Sequence, residues 1–169
     1  MKIPIAMPKN KLLSHPYSAI ISTPIGNLGL CANQDVITQI SFIKDTGSPY
    51  IKDANPLVSS AIHELEQYFA GQLKQFQTPF SPVGTPFQQK VWRALIAIPH
   101  GQTLTYGQLA AKLKTSPRAI GNACRTNPLL ILIPCHRVLA YNGLGGYSGE
   151  TRGQQLAIKR WLLELEDTV

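Results

Sequence analysis

Leu129-Leu130-Ile131-Leu132-Ile133-Pro134-Cys135-His136-Arg137-Val138 joins an apolar run to a Cys-His-Arg cluster, and no other segment narrows the architecture of this chain as far. The run Leu129 to Ile133 suits a buried strand. It carries the Cys-His pair into the interior at its end. A thiol is nucleophilic only as thiolate, and a free cysteine near pH 7 is mostly protonated. His136 and Arg137 adjoin Cys135 and could each favour the anion. Alone, such a dipeptide is more often a buried inert cysteine beside a surface histidine, so its meaning depends on the flanking sequence.

Upstream, the residues predict helices with explicit caps. Thr85-Pro86-Phe87-Gln88 is a capping box with proline at the first helical position, and Phe87, Val91, Leu95 and Ile98 give that helix one apolar face. Pro99-His100-Gly101 ends it. Thr105-Tyr106-Gly107-Gln108 is a second capping box, followed by an apolar stripe of Tyr106, Leu109, Ala110 and Leu113. Thr115-Ser116-Pro117 breaks the chain, with Ser116 as N-cap of a third helix from about Pro117 to Arg125. Two short helices around so tight a corner predict a helix-turn-helix. On the third helix Arg118, Asn122 and Arg125 recur at i, i+4 and i+7 and share a face. Gly121 and Ala123 are small enough to admit a nucleic-acid backbone; the same face would equally serve as the solvated side of an ordinary helix. Downstream, Leu156, Ile158, Trp161, Leu162 and Leu165 mark a last helix.

The first half reads differently. Tyr17 to Ser22, Leu28 to Ala32 and Val36 to Phe42 are short strands, the first two separated by the turn residues Thr23-Pro24-Ile25-Gly26-Asn27. They predict a small antiparallel sheet. Asp45 to Pro56 is polar and loop-like. Val58, Ala61, Ile62, Leu65 and Phe69 then form an amphipathic helix. The proline- and glycine-rich stretch Gln77 to Pro86 reads as a linker. The expected organisation is an α/β N-terminal domain over 1–84 and a mostly helical domain over 85–169.

Composition sets bounds on partners. Hydrophobic residues are 44% and charged residues 15%, too apolar for a disordered chain, yet no apolar run reaches bilayer-spanning length. Met1 to Lys11 holds Pro4 and Pro8 with no apolar region after it, so a secretory signal is not expected and the chain reads as cytoplasmic. Three widely spaced cysteines, Cys31, Cys124 and Cys135, fit neither a disulfide framework nor a zinc site. Residues 1–84 carry six Lys, no Arg and five acidic side chains, a balance of +1, whereas 85–169 carry four Lys, six Arg and four acidic side chains, a balance of +6. An anionic partner for the second half follows as a hypothesis, because arginine suits phosphate and base edges.

Pro134-Cys135-His136-Arg137 resembles the signature of the methylated-DNA–protein-cysteine methyltransferases, also called O6-alkylguanine-DNA alkyltransferases. Asn127-Pro128 before it and Gly145-Gly146-Tyr147-Ser148-Gly149 after it match as well, and the resemblance covers about 85–166. It implies a ribonuclease H-like N-terminal domain, duplex DNA carrying O6-alkylguanine as partner, a monomer, and neither cofactor nor metal. Cys135 would be the alkyl acceptor. His136 would take its proton through a water, and Glu166 on the last helix would orient the histidine. Asn127 would hold the turn at the active-site strand, and Tyr106 would assist the departing guanine. Pro134, Gly146, Tyr147 and Ser148 would line the base pocket. Ser116, Gly121, Asn122 and Arg125 would meet DNA, with Arg118 filling the gap left by a flipped nucleotide. The longer passage Glu150-Thr151-Arg152-Gly153 leaves Glu164 and Asp167 as alternatives to Glu166. Cys31 and Cys124 have no part in the motif and read as a buried strand residue and a helix-packing residue. Binding-only relatives lack the acceptor cysteine, and a plain helix-turn-helix regulator would not account for the Cys-His pair and the glycine-rich loop.

Overall fold

A computed structural model describes residues 16–44, 48–51 and 55–167. Met1 to Lys11, and parts of the Asp45 to Pro56 segment, lie outside them. Strands β1 (Ala19–Thr23), β2 (Gly26–Ala32), β3 (Ile37–Phe42) and β4 (Tyr50–Ile51) form an antiparallel sheet in the order β3-β2-β1-β4. Gly26 makes the first hairpin possible, since its φ of 112° is closed to residues with a Cβ. Alternation sends Leu28, Leu30 and Ile40 to the buried face, and Ile37 joins them across the register shift at Cys31/Ala32. The loop expected over Asp45 to Pro56 contains β4, whose two residues pair with Ala19 and Ile20. So short a strand leaves no periodicity to read.

Helix α1 (Pro56–Phe69) begins at Asn55, whose side chain accepts from the Leu57 N–H at 2.9 Å. It buries Val58, Ala61, Leu65 and Tyr68. The expected linker is tied down rather than free. Ile37 donates to the Pro79 carbonyl at 2.9 Å and Ser81 to the Ile37 carbonyl at 3.1 Å, so Phe80 runs beside β3.

Helices α2 (Pro86–Ile96), α3 (Tyr106–Leu113), α4 (Pro117–Arg125) and α5 (Gln154–Leu165) make the second half, with a short parallel pair of β5 (Leu104–Thr105) and β6 (Val138–Leu139). Both capping boxes form, and Ser116 caps α4 through the Ala119 N–H. The chain turns between α3 and α4 with Lys114 in the left-handed region, φ 55°. Trp92 is buried in α2 and its indole N–H reaches the Ala123 carbonyl at 2.9 Å, locking α2 to α4. Among the described residues no helix is long and apolar enough to cross a membrane.

Leu129 to Ile133 is buried as expected but is not a strand. Leu129 bridges to Ile40 of β3, the chain reverses at Ile131 with φ 73°, and Ile133 donates back to the Leu129 carbonyl at 2.9 Å. Positive φ in a β-branched residue is strained. The surrounding core holds it, and the reversal returns the chain to Asn127, whose amide lies 3.3 Å from Cys135 Sγ.

Candidate active site

Cys135 opens a 3-10 turn, Cys135–Arg137, and is 4% exposed. Asn127 fixes its approach. The Asn127 amide donates to the Ile133 carbonyl at 2.8 Å and to Cys135 Sγ at 3.3 Å, while its Oδ1 accepts from the Leu129 N–H at 2.9 Å. One side chain thus clamps both ends of the reversal and aims a donor at the sulfur. Burial pushes the Cys135 thiol up, opposed by the Asn127 hydrogen bond and the charge of Lys159.

His136 is fully buried and its Nε2 lies 2.8 Å from Glu166 Oε1. With Nε2 against a carboxylate, the neutral ring carries its proton there and Nδ1 keeps the lone pair. Nδ1 is itself buried without a hydrogen-bond partner among the described residues, the arrangement of a base awaiting a proton. Burial lowers the proton affinity of His136 more than Glu166 raises it. For Glu166, burial acts upward, but hydrogen bonds from His136, Arg137 and Tyr68 outweigh it and hold the carboxyl well below its ordinary range. The resting pair is therefore imidazole and carboxylate. Glu166 stands one residue past the end of α5, not on it. Glu164 and Asp167 are both exposed, so of the three acidic residues only Glu166 meets the histidine.

Arg137 does not serve the sulfur as the sequence suggested. Its guanidinium binds both oxygens of Glu166, at 2.8 and 3.0 Å, and the Ile98 carbonyl at 2.6 Å. The nearby cation is Lys159, unanticipated from sequence. It is fully buried on α5, donates to the carbonyls of Val138 at 2.6 Å and Gly146 at 2.9 Å, and lies 5.7 Å from the Tyr106 ring centroid. Burial lowers its pKa to about 8. Its position inside the Leu156–Leu162 apolar stripe was the readable sign. Tyr68 was also missed; an aromatic on the apolar stripe of α1 with a hydroxyl that needs a buried partner marks it.

Cys135 faces a cavity of about 570 Å³ that Tyr106, Arg118, Gly121, Arg125, Gly146, Tyr147 and Ser148 also border. Cys124, buried in α4, borders it too. Gly145 allows the loop to pass Tyr106: a Cβ there would lie 3.0 Å from that ring. Tyr106 Oη donates to the Gly146 carbonyl at 3.4 Å, and burial keeps its phenol above the ordinary range. Pro134 lies elsewhere. It borders a separate cavity of about 440 Å³ with Ile98, His100 and Arg137. The reversal before Cys135 turns the proline and the thiol to opposite sides. Ser116, the N-cap of α4, and Asn122 on that helix are exposed outside the cavity lining, near the exposed Arg118 and Arg125. At Gly121 an added Cβ would meet nothing within 4 Å, so the outer face there is open. Cys31 is in β2 but only partly buried, with its thiol 3.7 Å from the Pro16 carbonyl. Among the described residues no three His, Cys, Asp or Glu side chains gather as a metal site.

A sulfur nucleophile, a histidine–carboxylate pair and a roomy cavity suit cysteine-dependent group transfer. Comparison with known proteins narrows the class. Residues 86–168 match the family described as 6-O-methylguanine DNA methyltransferase, DNA binding domain, and residues 17–82 match its ribonuclease-like domain. The chain belongs to the 6-O-methylguanine DNA methyltransferase family. It is 39% identical over 157 residues to the methylated-DNA–protein-cysteine methyltransferase of Methanosarcina acetivorans, covering 89% of this chain and 97% of that protein. The constitutive enzyme of that name from Bacillus subtilis is 38% identical over 160 residues, covering 89% and 94%. Among solved structures, OGT of Mycobacterium tuberculosis in complex with DNA is similar with a TM-score of 0.75 and 38% identity, covering 88% of this chain and 91% of that one.

Proposed function

We propose that this protein repairs duplex DNA by moving an alkyl group from O6 of guanine to Cys135, once per molecule. The carrying observation is a thiol at a large cavity whose next residue, His136, keeps an unpartnered Nδ1 while Glu166 holds Nε2. In this reading His136 Nδ1 accepts the Cys135 proton through a water. The sulfur attacks the alkyl carbon, the S–C bond forms, and the C–O6 bond breaks with its electron pair going to guanine. Tyr106, a neutral phenol at the cavity, donates to the departing base. The product is a thioether, which no group at the site can cleave.

The corner of α3 and α4 reads as a helix-turn-helix, and the sheet with α1 as ribonuclease H-like. Arg118, Arg125, Asn122 and Ser116 meet the duplex, and Gly146, Tyr147 and Ser148 contact the extruded base; Pro134 shapes the turn from behind. The protein acts as a monomer in the cytoplasm. The same displacement would apply to an alkyl group on O4 of thymine, which an intact-mass assay on a thymine-adducted duplex would test. Incubation with excess O6-methylguanine duplex tests the core of the reading. One methyl per molecule should appear by intact-mass spectrometry, and peptide mapping should place it on Cys135. Repeated turnover, or methyl on Cys31 or Cys124, counts against it.

Arg118→Ala gives a second expectation. Extruding a base costs a few kcal/mol of unstacking, which a side chain entering the stack offsets. Repair of duplex should slow about 10-fold or more, whereas reaction with free O6-benzylguanine should change little. Equal losses on both substrates would make Arg118 a pocket or structural residue.

A further inference from the structure

We infer that Tyr68, from the sheet-and-helix half, is a positioning residue for alkyl transfer that sets the proton affinity of the His136–Glu166 pair; this rests on His136 being the base for Cys135. The Tyr68 hydroxyl donates to Glu166 Oε1 at 2.6 Å, shorter than the 2.8 Å from His136 Nε2 and the 3.0 Å from Arg137 to the same oxygen. It lies 3.4 Å from His136 Nε2 itself. Three donors thus converge on the one oxygen that faces the histidine. Carboxylate charge taken up by Tyr68 is withheld from the imidazole, because donors to the charged form lower its basicity.

The ring is held for this role. Tyr68 is 1% exposed, with ring centroids of Phe69 and Phe76 at 5.5 Å and of His100 at 6.3 Å. Burial, and then the adjacent Glu166, push its phenol far above the ordinary value, so it stays a donor through the neutral range. Arg137 and Glu166 come from the second half of the chain; Tyr68 is the contribution of α1. The N-terminal half, which otherwise reaches the cavity wall through Phe42 against Tyr147, thereby enters the chemistry.

The direction of the effect follows. Without the hydroxyl, Oε1 returns more charge to His136, whose imidazole then holds a proton to higher pH. A protonated His136 cannot accept from Cys135, so the acid limb of transfer moves up. A stronger donor at 68 moves it down. The other groups facing the pair are His100 and the Gly101 N–H after α2, Arg137, Lys159 from α5, and Tyr147, while Lys74 and Asp167 act on His100. All are common to the variants, so the displacement between variants reports Tyr68.

The test compares the full-length chain with Tyr68→Phe and with 3-fluorotyrosine placed at position 68, which keeps shape and hydroxyl but donates more strongly. The His136 imidazole is titrated by ¹⁵N NMR in the resting protein, with His100 resolved separately. Single-turnover methyl transfer from duplex is measured across the same pH range. Tyr68→Phe should raise the His136 midpoint and slow transfer at the foot of the acid limb about threefold to tenfold, with the plateau nearly unchanged. Fluorotyrosine should lower the midpoint, a response that a purely structural strut would not give, and it remains informative if the Phe variant folds poorly. An imidazole midpoint unmoved in both variants overturns the inference alone. A midpoint that moves while transfer ignores it overturns His136 as the base, and with it the part of Tyr68 in transfer.

Discussion

Cys135→Ser is expected to abolish alkyl transfer while leaving duplex binding close to that of the unaltered chain. In the proposed reading the two properties rest on different side chains: Arg118, Asn122 and Arg125 are exposed on α4, whereas Cys135 is buried at the wall of the cavity that the two arginines also border. A serine hydroxyl is far less acidic than a thiol and a poorer nucleophile toward an sp3 carbon, and a neutral His136 cannot make up the difference. Transfer should fall about 10⁴-fold or more, the scale of a lost nucleophile. The fold should persist, because the Asn127 amide that meets Sγ at 3.3 Å can donate to a hydroxyl equally well. The dissociation constant for methylated duplex should stay within about threefold, since phosphate contacts dominate affinity. Cys124 is the internal rival, for it borders the same cavity. Its thiol is raised by burial, then by the nearby Cys135, and among the described residues no histidine–carboxylate pair is hydrogen-bonded beside it. Methyl on Cys124 in the serine variant at a rate near that of the unaltered protein would sink the assignment of Cys135. Intact mass, peptide mapping and fluorescence anisotropy on one preparation separate these outcomes.

What the sequence made legible was local chemistry. The capping boxes at Thr85 and Thr105, the Ser116 cap and the extent of α4 follow from interactions within four residues, which a sequence displays directly. The same is true of the β1–β2 turn. What stayed hidden was set by distant partners. Leu129 to Ile133 has strand composition, but its backbone groups are satisfied by Ile40 and by its own reversal, so it closes on itself. Arg137 adjoins Cys135 in sequence and is drawn to Glu166, 29 residues away. Lys159 is a charged side chain buried where the carbonyls of Val138 in β6 and of Gly146 in the following loop take its donors. Tyr68 meets Glu166 across 98 residues, a contact that no local pattern announces.

Glu166→Gln should produce the second large loss, and its details separate orientation from mere support. At neutral pH the carboxylate is the counter-charge for Arg137, whose side chain is 9% exposed. An amide leaves that cation unmatched and turns an N–H toward donors, so stability should fall by about 3–5 kcal/mol, the scale for one partner lost from a buried pair. The pH dependence has a definite sign. The folded-state pKa of Glu166 is depressed, so its stabilisation is full above the unfolded value of about 4.3 and is lost as pH falls toward the folded value. The gap between the two proteins in urea denaturation should therefore be widest near neutrality and shrink below about pH 4. In transfer, an imidazolium formed as Cys135 loses its proton would lack its partner, and the plateau should drop about 10²-fold or more. The acid limb should move to lower pH, opposite to Tyr68→Phe, because one change removes the charge facing His136 and the other concentrates it there. Glu164 and Asp167 are exposed and point to no rescue. A glutamine variant that keeps its plateau and its acid limb, despite the stability loss, would reduce Glu166 to a structural anchor for Arg137 and leave the activation of Cys135 to Asn127 and Lys159.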